Sequence, residues 1–397
     1  MKLYLSSICI MLLLLISPLS AAAFHEYQDN VQSRNYHNTM TPQQFSSALT
    51  KELVAQERDG NLIFSPLSIH TALSMTALGA EGETKRQMEQ LLSIPQVLEN
   101  PFPDATGLSI ANSIWVDERY PVSSHFIRQT KELFFAEVET LDFSNSLSPT
   151  KINDWVFQKT NGKIDTIIEE LKPDMRMILV NAVHFLADWA DPFDANDTRD
   201  RIFHAPSGDY RTPFLHSERS TLVLDYAKAL GIALPYEHGR FVFVALLPPE
   251  NLTIQQWIAT QSSALVENLF KSLEKGSYER VQLAFPKFLD HYEVRLSPML
   301  QQIGMTLPFD PTRANFSGLH ADGVSDLFID DVLHKTFIRV DEKGTEAAAV
   351  TAVTMRLTSM MPAGIPIVFD RPFLYGILDK STGQALFLGV MQTPEAP

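Results

Sequence analysis

Eleven histidines and a good supply of serines and carboxylates give this chain the raw material for acid–base or nucleophilic chemistry. None of them stands in a spacing that such chemistry uses. There is no Gly-x-Ser-x-Gly elbow, no His-Glu-x-x-His pair, no glycine loop to cradle phosphate and no dinucleotide fingerprint. An enzyme would need a triad gathered from distant residues, and nothing in the sequence marks one. The spacing that does stand out runs from Asp341 to Pro366. Between Thr345 and Met361 there is neither Gly nor Pro, the residues loops rely on. Taken with strand alternation, Thr345, Ala347, Ala349, Thr351, Val353, Met355 and Leu357 share one face. Glu346, Ala348, Val350, Ala352, Thr354 and Arg356 share the other. Both charges fall on the second face, so the first can enter a core. Gly344 stands where a chain could hinge, and Pro362, Gly364 and Pro366 end any strand. Two readings fit: a permanent half-buried strand, or a segment that is loop in one state and strand in another.

The surroundings of that stretch carry a resemblance. Asp341-Glu-Lys-Gly-Thr-Glu-Ala-Ala348 is similar to the hinge motif of the serpin family, and Phe369-Asp-Arg-Pro-Phe-Leu374 resembles the segment after its reactive loop. Further matches follow the family's order along the chain. They are Asn61-Leu-Ile-Phe-Ser-Pro-Leu-Ser-Ile69, Thr160-Asn-Gly-Lys-Ile164, Leu179-Val-Asn-Ala-Val183, Trp189-Ala-Asp-Pro-Phe193, Phe285-Pro-Lys-Phe288 and Ala314-Asn-Phe-Ser-Gly318.

The resemblance implies an α+β fold, with about eight or nine helices around three β-sheets and an exposed reactive-centre loop at about 344–366. It implies no catalytic group of the chain's own and no cofactor or metal. The loop is offered to a serine protease as a substrate; the protease is acylated, and the freed segment inserts into the main sheet before hydrolysis is complete. Glu342, Gly344, Thr345, Glu346, Ala347, Ala348 and Ala349 would form the hinge. Thr345 would be the first inward residue, where a charge would be costly to bury and a proline would lack a donor. Counting on from Glu342 by the family's usual hinge length puts the reactive bond at Thr358-Ser359. Counting back from Pro372-Phe373 lands near Met361-Pro362, where the proline hinders cleavage. Arg356, Leu357 and Met360 are the alternatives: Arg356-Leu357 suits a trypsin-like protease, Leu357-Thr358 and Met360-Met361 a chymotrypsin- or elastase-like one. Ser65, Ser68, Asn181 and His334 match the polar cluster that governs sheet opening; singly, each also reads as an ordinary buried hydrogen-bonding group. Trp189 reads as packing. The partner expected is an extracellular serine protease in a covalent 1:1 complex, with the inhibitor a monomer. The other reading is a non-inhibitory carrier or storage member, whose hinge would bear bulky, charged or proline residues at inward positions; this hinge has none.

Composition narrows the setting. At 45% hydrophobic and 20% charged, the 397 residues suit a globular protein with a large core, and no linker or repeat divides them. Lys2, the apolar run Leu3 to Ile16 and the small residues Ser20-Ala-Ala-Ala23 read as a secretory signal over 1–23, shorter than a membrane span. A polar tail, 24–40, precedes a single domain over 41–397. The only cysteine is Cys9, so the mature chain has neither disulfide nor thiol nucleophile. A net charge of −15 disfavours nucleic acid and heparin. The few residues between Leu92 and Ser109, rich in Pro and Gly, point the same way. The family usually carries a helix there, basic in heparin-binding members, and here it reads as shortened or absent. Sequons at Asn196, Asn251 and Asn315 are candidate glycosylation sites, with Asn315 in a motif that can be packed.

The elements that must position this loop follow from periodicity. Thr41-Pro-Gln-Gln44 opens a first helix with a capping box. Ser65-Pro66 opens a second that is apolar on most sides through Ala80, and Gly82 to Leu92 reads as a third. Further helices are expected over Val122–Val138, Pro149–Gly162 and Ile254–Leu273. Strands are expected over Ser109–Val116, Arg176–Leu186, Val223–Tyr226, Phe241–Leu247, Arg280–Phe288, Val332–Glu342, Phe373–Asp379 and Ala385–Val390. The continuous apolar run in Arg176–Leu186 belongs at the centre of a covered sheet.

Overall fold

The computed structural model describes residues 39–57, 60–93, 108–134, 136–172, 174–261, 263–345 and 364–395. The signal segment and nearly all of the tail lie outside them. So does 94–107, where the sequence places the shortened helix.

Helix α1 (Pro42–Gln56) starts as its residues dictate: Thr41 Oγ1 accepts from Gln44 N at 3.2 Å, and Gln44 Oε1 accepts from Thr41 N at 2.9 Å. Its stripe Phe45, Leu49 and Leu53 is fully buried. Strand β1 (Leu62–Phe64) leads through Ser65, the N-cap, into α2 (Pro66–Ala77), buried along almost its whole length. Then come α3 (Gly82–Leu91), β2 (Leu108–Asp117), α4 (Ser124–Phe134), β3 (Glu137–Leu141), α5 (Ser148–Lys159), β4 (Met177–Phe185) and β5 (Ala187–Asp188). The hairpin of β6 (Arg199–Ala205) and β7 (Gly208–Tyr226) precedes β8 (Ala229–Pro235) and β9 (Phe241–Leu247). Next are α6 (Ile254–Thr260), α7 (Leu265–Lys275), β10 (Ser277–Pro286), β11 (Phe288–Arg295) and α8 (Ser297–Gln302). The last strands are β12 (Asp331–Val340), β13 (Gly344–Thr345), β14 (Ile365–Val368), β15 (Phe373–Asp379) and β16 (Gln384–Met391).

Three expectations are corrected. The helix expected over Val122–Val138 ends at Phe134, and Glu137 and Val138 open strand β3. The single helix over 254–273 is two, because the chain turns extended at Gln261 (φ −75, ψ 146). The Gln261 side chain donates back to Trp257 O at 2.8 Å and ends α6, while Ser47 Oγ of α1 accepts from Val266 N at 3.0 Å as α7 begins. The short strand over Val223–Tyr226 is the end of a strand of 19 residues. Pro213 breaks the sequence signal there, yet its carbonyl is used by Lys287 N at 2.9 Å.

The strands form two sheets among the described residues. One has nine strands, β1-β16-β15-β9-β8-β7-β10-β14 with β6 on β7; the other has seven, β3-β2-β4-β12-β13-β5 with β11 on β12. The resemblance implies three sheets; the length of β7 joins two of them into one hydrogen-bonded ladder. At the centre of the seven-stranded sheet β4 and β12 pair in parallel, from Ile178↔Asp331 to His184↔Phe337. All nine residues of β4 are buried because both of its faces are covered. Met177 and Leu179 face the largest core, with α1 and α2; Ile178, Val180 and Ala182 face a second core under α5. Each large side chain so buried contributes about 1.5–3 kcal/mol relative to exposure. Asn181 lies on the α2 face of this mostly apolar strand, and that parity places it in the site below.

Candidate functional site

The hinge begins where β12 ends. Asp341 turns the chain: its N–H donates to Gly344 O at 3.0 Å, and its carboxylate accepts from Lys343 N at 3.0 Å. Gly344 and Thr345 then lie between β12 and β5, Thr345 pairing with both Val340 and Ala187. The glycine is required here by close approach. A Cβ on Gly344 would meet Ala187 O at 2.1 Å and Asp188 Cα at 2.7 Å, whereas its φ lies outside the positive region. Glycine at 344 is therefore required by space between strands and not by a left-handed turn, the freedom that the sequence suggested.

Three successive carbonyls anchor the turn. The Trp189 indole N–H donates to Asp341 O at 2.9 Å, Phe193 N to Glu342 O at 2.7 Å and Trp189 N to Lys343 O at 2.7 Å. Trp189 is stacked on Tyr236 at 4.6 Å between ring centres. The Tyr236 hydroxyl shares a 2.6 Å hydrogen bond with that of Thr345. Burial pushes the Tyr236 phenol up, so it stays neutral. Glu342 takes Lys287 Nζ at 2.9 Å and the Thr198 hydroxyl at 2.8 Å. Burial alone would raise its carboxyl; these bonds outweigh that and hold it below the ordinary glutamate range.

Lower on the seam a polar group sits in the core. His334 and Asn181 are register partners across β4 and β12, and Asn112 is the partner of Asn181 on β2. Ser65, Ser68, Asn181 and His334 are all fully buried. His334 Nε2 accepts from Ser65 N at 3.1 Å, so Nδ1 carries the proton and donates to Asn181 Oδ1 at 2.5 Å. Asn181 Nδ2 donates to Ser68 Oγ and, at 2.5 Å, to Asn112 Oδ1. Ser65 Oγ accepts from Ser68 N at 3.3 Å. Burial lowers the His334 pKa to about 3, and the ring is neutral. Five side chains on α2, its cap and three strands thus satisfy one another and tie the strands closed.

The chain matches the family model described as "Serpin (serine protease inhibitor)" over residues 40–394. The chain belongs to the serpin family. Among curated relatives, an uncharacterized serpin-like protein of Thermococcus kodakarensis is 34% identical over 369 residues, covering 88% of this chain and 84% of that one. Among solved structures, the thermophilic serpin tengpin in its native state has a TM-score of 0.80 at 33% identity, covering 88% of this chain and 92% of that one. Human thyroxine-binding globulin complexed with its ligand has a TM-score of 0.80 at 29% identity, covering 89% and 97%. The α+β serpin fold is thereby shown.

In this serpin β4 pairs β12 directly along the seam, and Thr345, expected as the first inward residue, is seated beside Val340. The remaining hinge residues Glu346, Ala347, Ala348 and Ala349 lie outside the described residues. So do the reactive bond Thr358-Ser359 and its alternatives Arg356, Leu357 and Met360. Asn196 is exposed on a short 3-10 turn, and Asn251 is exposed on the loop before α6. Asn315 is half-buried, its carbonyl oxygen Oδ1 accepting from Ser317 N at 3.1 Å, so its amide is part of a turn. Sequence reasoning passed over Asn112, Tyr236, Lys287 and Thr198. Asn112 carried a signal, the lone amide of its strand, following Ile110 and Ala111. Thr198 was visible only as part of a sequon, and Trp189, read as packing, also supplies two hinge hydrogen bonds. Among the described residues there is no metal-binding cluster and no helix able to cross a membrane.

Proposed function

We propose that this serpin is a secreted inhibitor of an extracellular serine protease, acting once as a suicide substrate. The observation that carries the reading is the seam, with its first inward residue seated above strands that remain zipped. Val340, Thr345 and Ala187 are level, with the same offset that relates His334 to Asn181 below them. A strand continuing down from Thr345 in that register brings Ala347 level with Ile338, and Thr351 level with both His334 and Asn181. Small residues enter first, and a hydroxyl arrives where the polar cluster must part. Insertion adds two ladders of backbone hydrogen bonds and buries one face, while the acylated protease is still attached. The protease is held as an ester between its serine and the residue before the reactive bond, which this reading places at Thr358.

The N-terminal signal directs export, the inhibitor is a monomer, and Asn196 and Asn251 are the sequons open to glycosylation. Heparin is not required, in keeping with the acidic chain. Incubation with a panel of trypsin-, chymotrypsin- and elastase-like proteases tests the reading. The expected result is a 1:1 adduct that survives SDS, with the released peptide beginning at Ser359. A second reading, a carrier, draws on the likeness to thyroxine-binding globulin, whose structure contains thyroxine. A carrier would give clean cleavage by every protease and no adduct.

A further inference from the structure

Away from the seam, a cleft of about 990 Å³ opens between the C-terminal half of α1, the Pro248–Gln256 stretch with α6, and the Arg371-Pro372 turn. Its size falls at the top of the range that holds small organic ligands, about 300–1,000 Å³. Val54, Leu252, Ile258 and Pro372 give it apolar walls, and none of them serves the hinge or the polar cluster. Arg371 borders the same space and is half-buried. One of its N–H groups donates to Pro248 O at 2.7 Å, and it forms no ion pair among the described residues. Lys51, also at the cleft, donates to Gln261 O at 2.8 Å. Glu52 and Glu250 border it too, and neither stands within ion-pair distance of Arg371. A guanidinium anchored by one edge keeps a planar fork for a carboxylate.

We propose that this cleft binds an amphipathic organic anion, its carboxylate on Arg371 and its hydrocarbon body against Val54, Leu252 and Pro372. The site is independent of the protease trap. Equilibrium dialysis of dodecanoate against the intact full chain tests it, with dodecanol and dodecylamine as uncharged and cationic comparators. One saturable dodecanoate site is expected, weakened about tenfold or more by Arg371→Gln, the scale of one lost charge-assisted hydrogen bond. Ala259→Trp, which fills the cleft from an exposed position on α6 and leaves the Arg371 side chain itself unchanged, should abolish binding. Native thermal stability and loop cleavage serve as folding checks on both variants, and Ala259→Trp decides if Arg371→Gln does not fold. Absence of saturable binding, binding that survives Ala259→Trp, or equal binding of dodecanol would overturn the proposal.

Discussion

The hydroxyls of Thr345 and Tyr236 lie 2.6 Å apart, and neither residue is exposed to solvent. On the proposed mechanism, the side chain expected to enter first is already bonded within the sheet, to Tyr236. A threonine fits because its one polar group is satisfied. Thr345→Arg would set a charge in that spot, at a cost of several kcal/mol unless it swings out. The hinge would then leave the sheet and delay insertion past deacylation. The expected outcome is a protein cleaved as a substrate, with SDS-stable adduct falling from the main product to a trace on gels.

Glu342 is held from two sides, by Lys287 on β10–β11 and Thr198 before β6. Glu342→Lys faces one ammonium with another and leaves the Thr198 hydroxyl without its acceptor. The loss should be about 1.5–3 kcal/mol, the scale of a hydrogen bond to a charged group. It falls at the top of the seam, so the sheet opens there first. Oligomer ladders on native gels after mild heating are expected for Glu342→Lys. Thr198→Val, which removes the weaker bond, should show a smaller rise. Equal behaviour of both variants and the parent would count against the bracing role.

Much of this was legible in the residues. The capping box at Thr41 and the buried run of β4 are local patterns, and local patterns survive folding. Tyr236 was not legible, because its partner stands 109 residues away and nothing near it in sequence signals a hinge. Gly344 was read for its conformational freedom, yet what requires it is the backbone of Ala187, which the sequence does not place beside it. The joining of two sheets through β7 was hidden by Pro213. The split between α6 and α7 depended on Ser47 in a distant helix.

His334 gives the seam a pH dependence whose sign follows from its burial. In the unfolded chain the ring protonates below about 6.5, while in the fold burial holds its pKa near 3. Between those values the unfolded state binds the extra proton, so stability rises with pH and is lost as pH falls through this window. His70, buried with a pKa of about 4, acts in the same direction. Each ring kept neutral costs about 1.4 kcal/mol for every pH unit below its unfolded pKa. Asp290, raised to about 7 by burial, acts the other way, and with two rings against one carboxyl the urea midpoint should still drop from pH 6.5 to pH 5. His334→Ala should be less stable at pH 7 and lose part of that slope; an unchanged slope would remove His334 as its source.

Thr351 offers a test that acts on the inserted form alone. Continued from Thr345, the register brings residue 351 level with His334 and Asn181, whose 2.5 Å hydrogen bond must break for a strand to pass. On the proposed insertion, the threonine hydroxyl would re-pair the groups that parted. Thr351→Leu would fill the space without a donor or acceptor, leaving buried polar atoms unmatched at about 1–3 kcal/mol. The native form, in which His334 and Asn181 still hold each other, should melt as the parent does. The loop-cleaved form should melt lower than the parent's cleaved form, and more protease should escape per inhibitor consumed. Calorimetry of both forms measures the difference directly; equal melting of the two cleaved proteins would mean the inserted strand runs in another register.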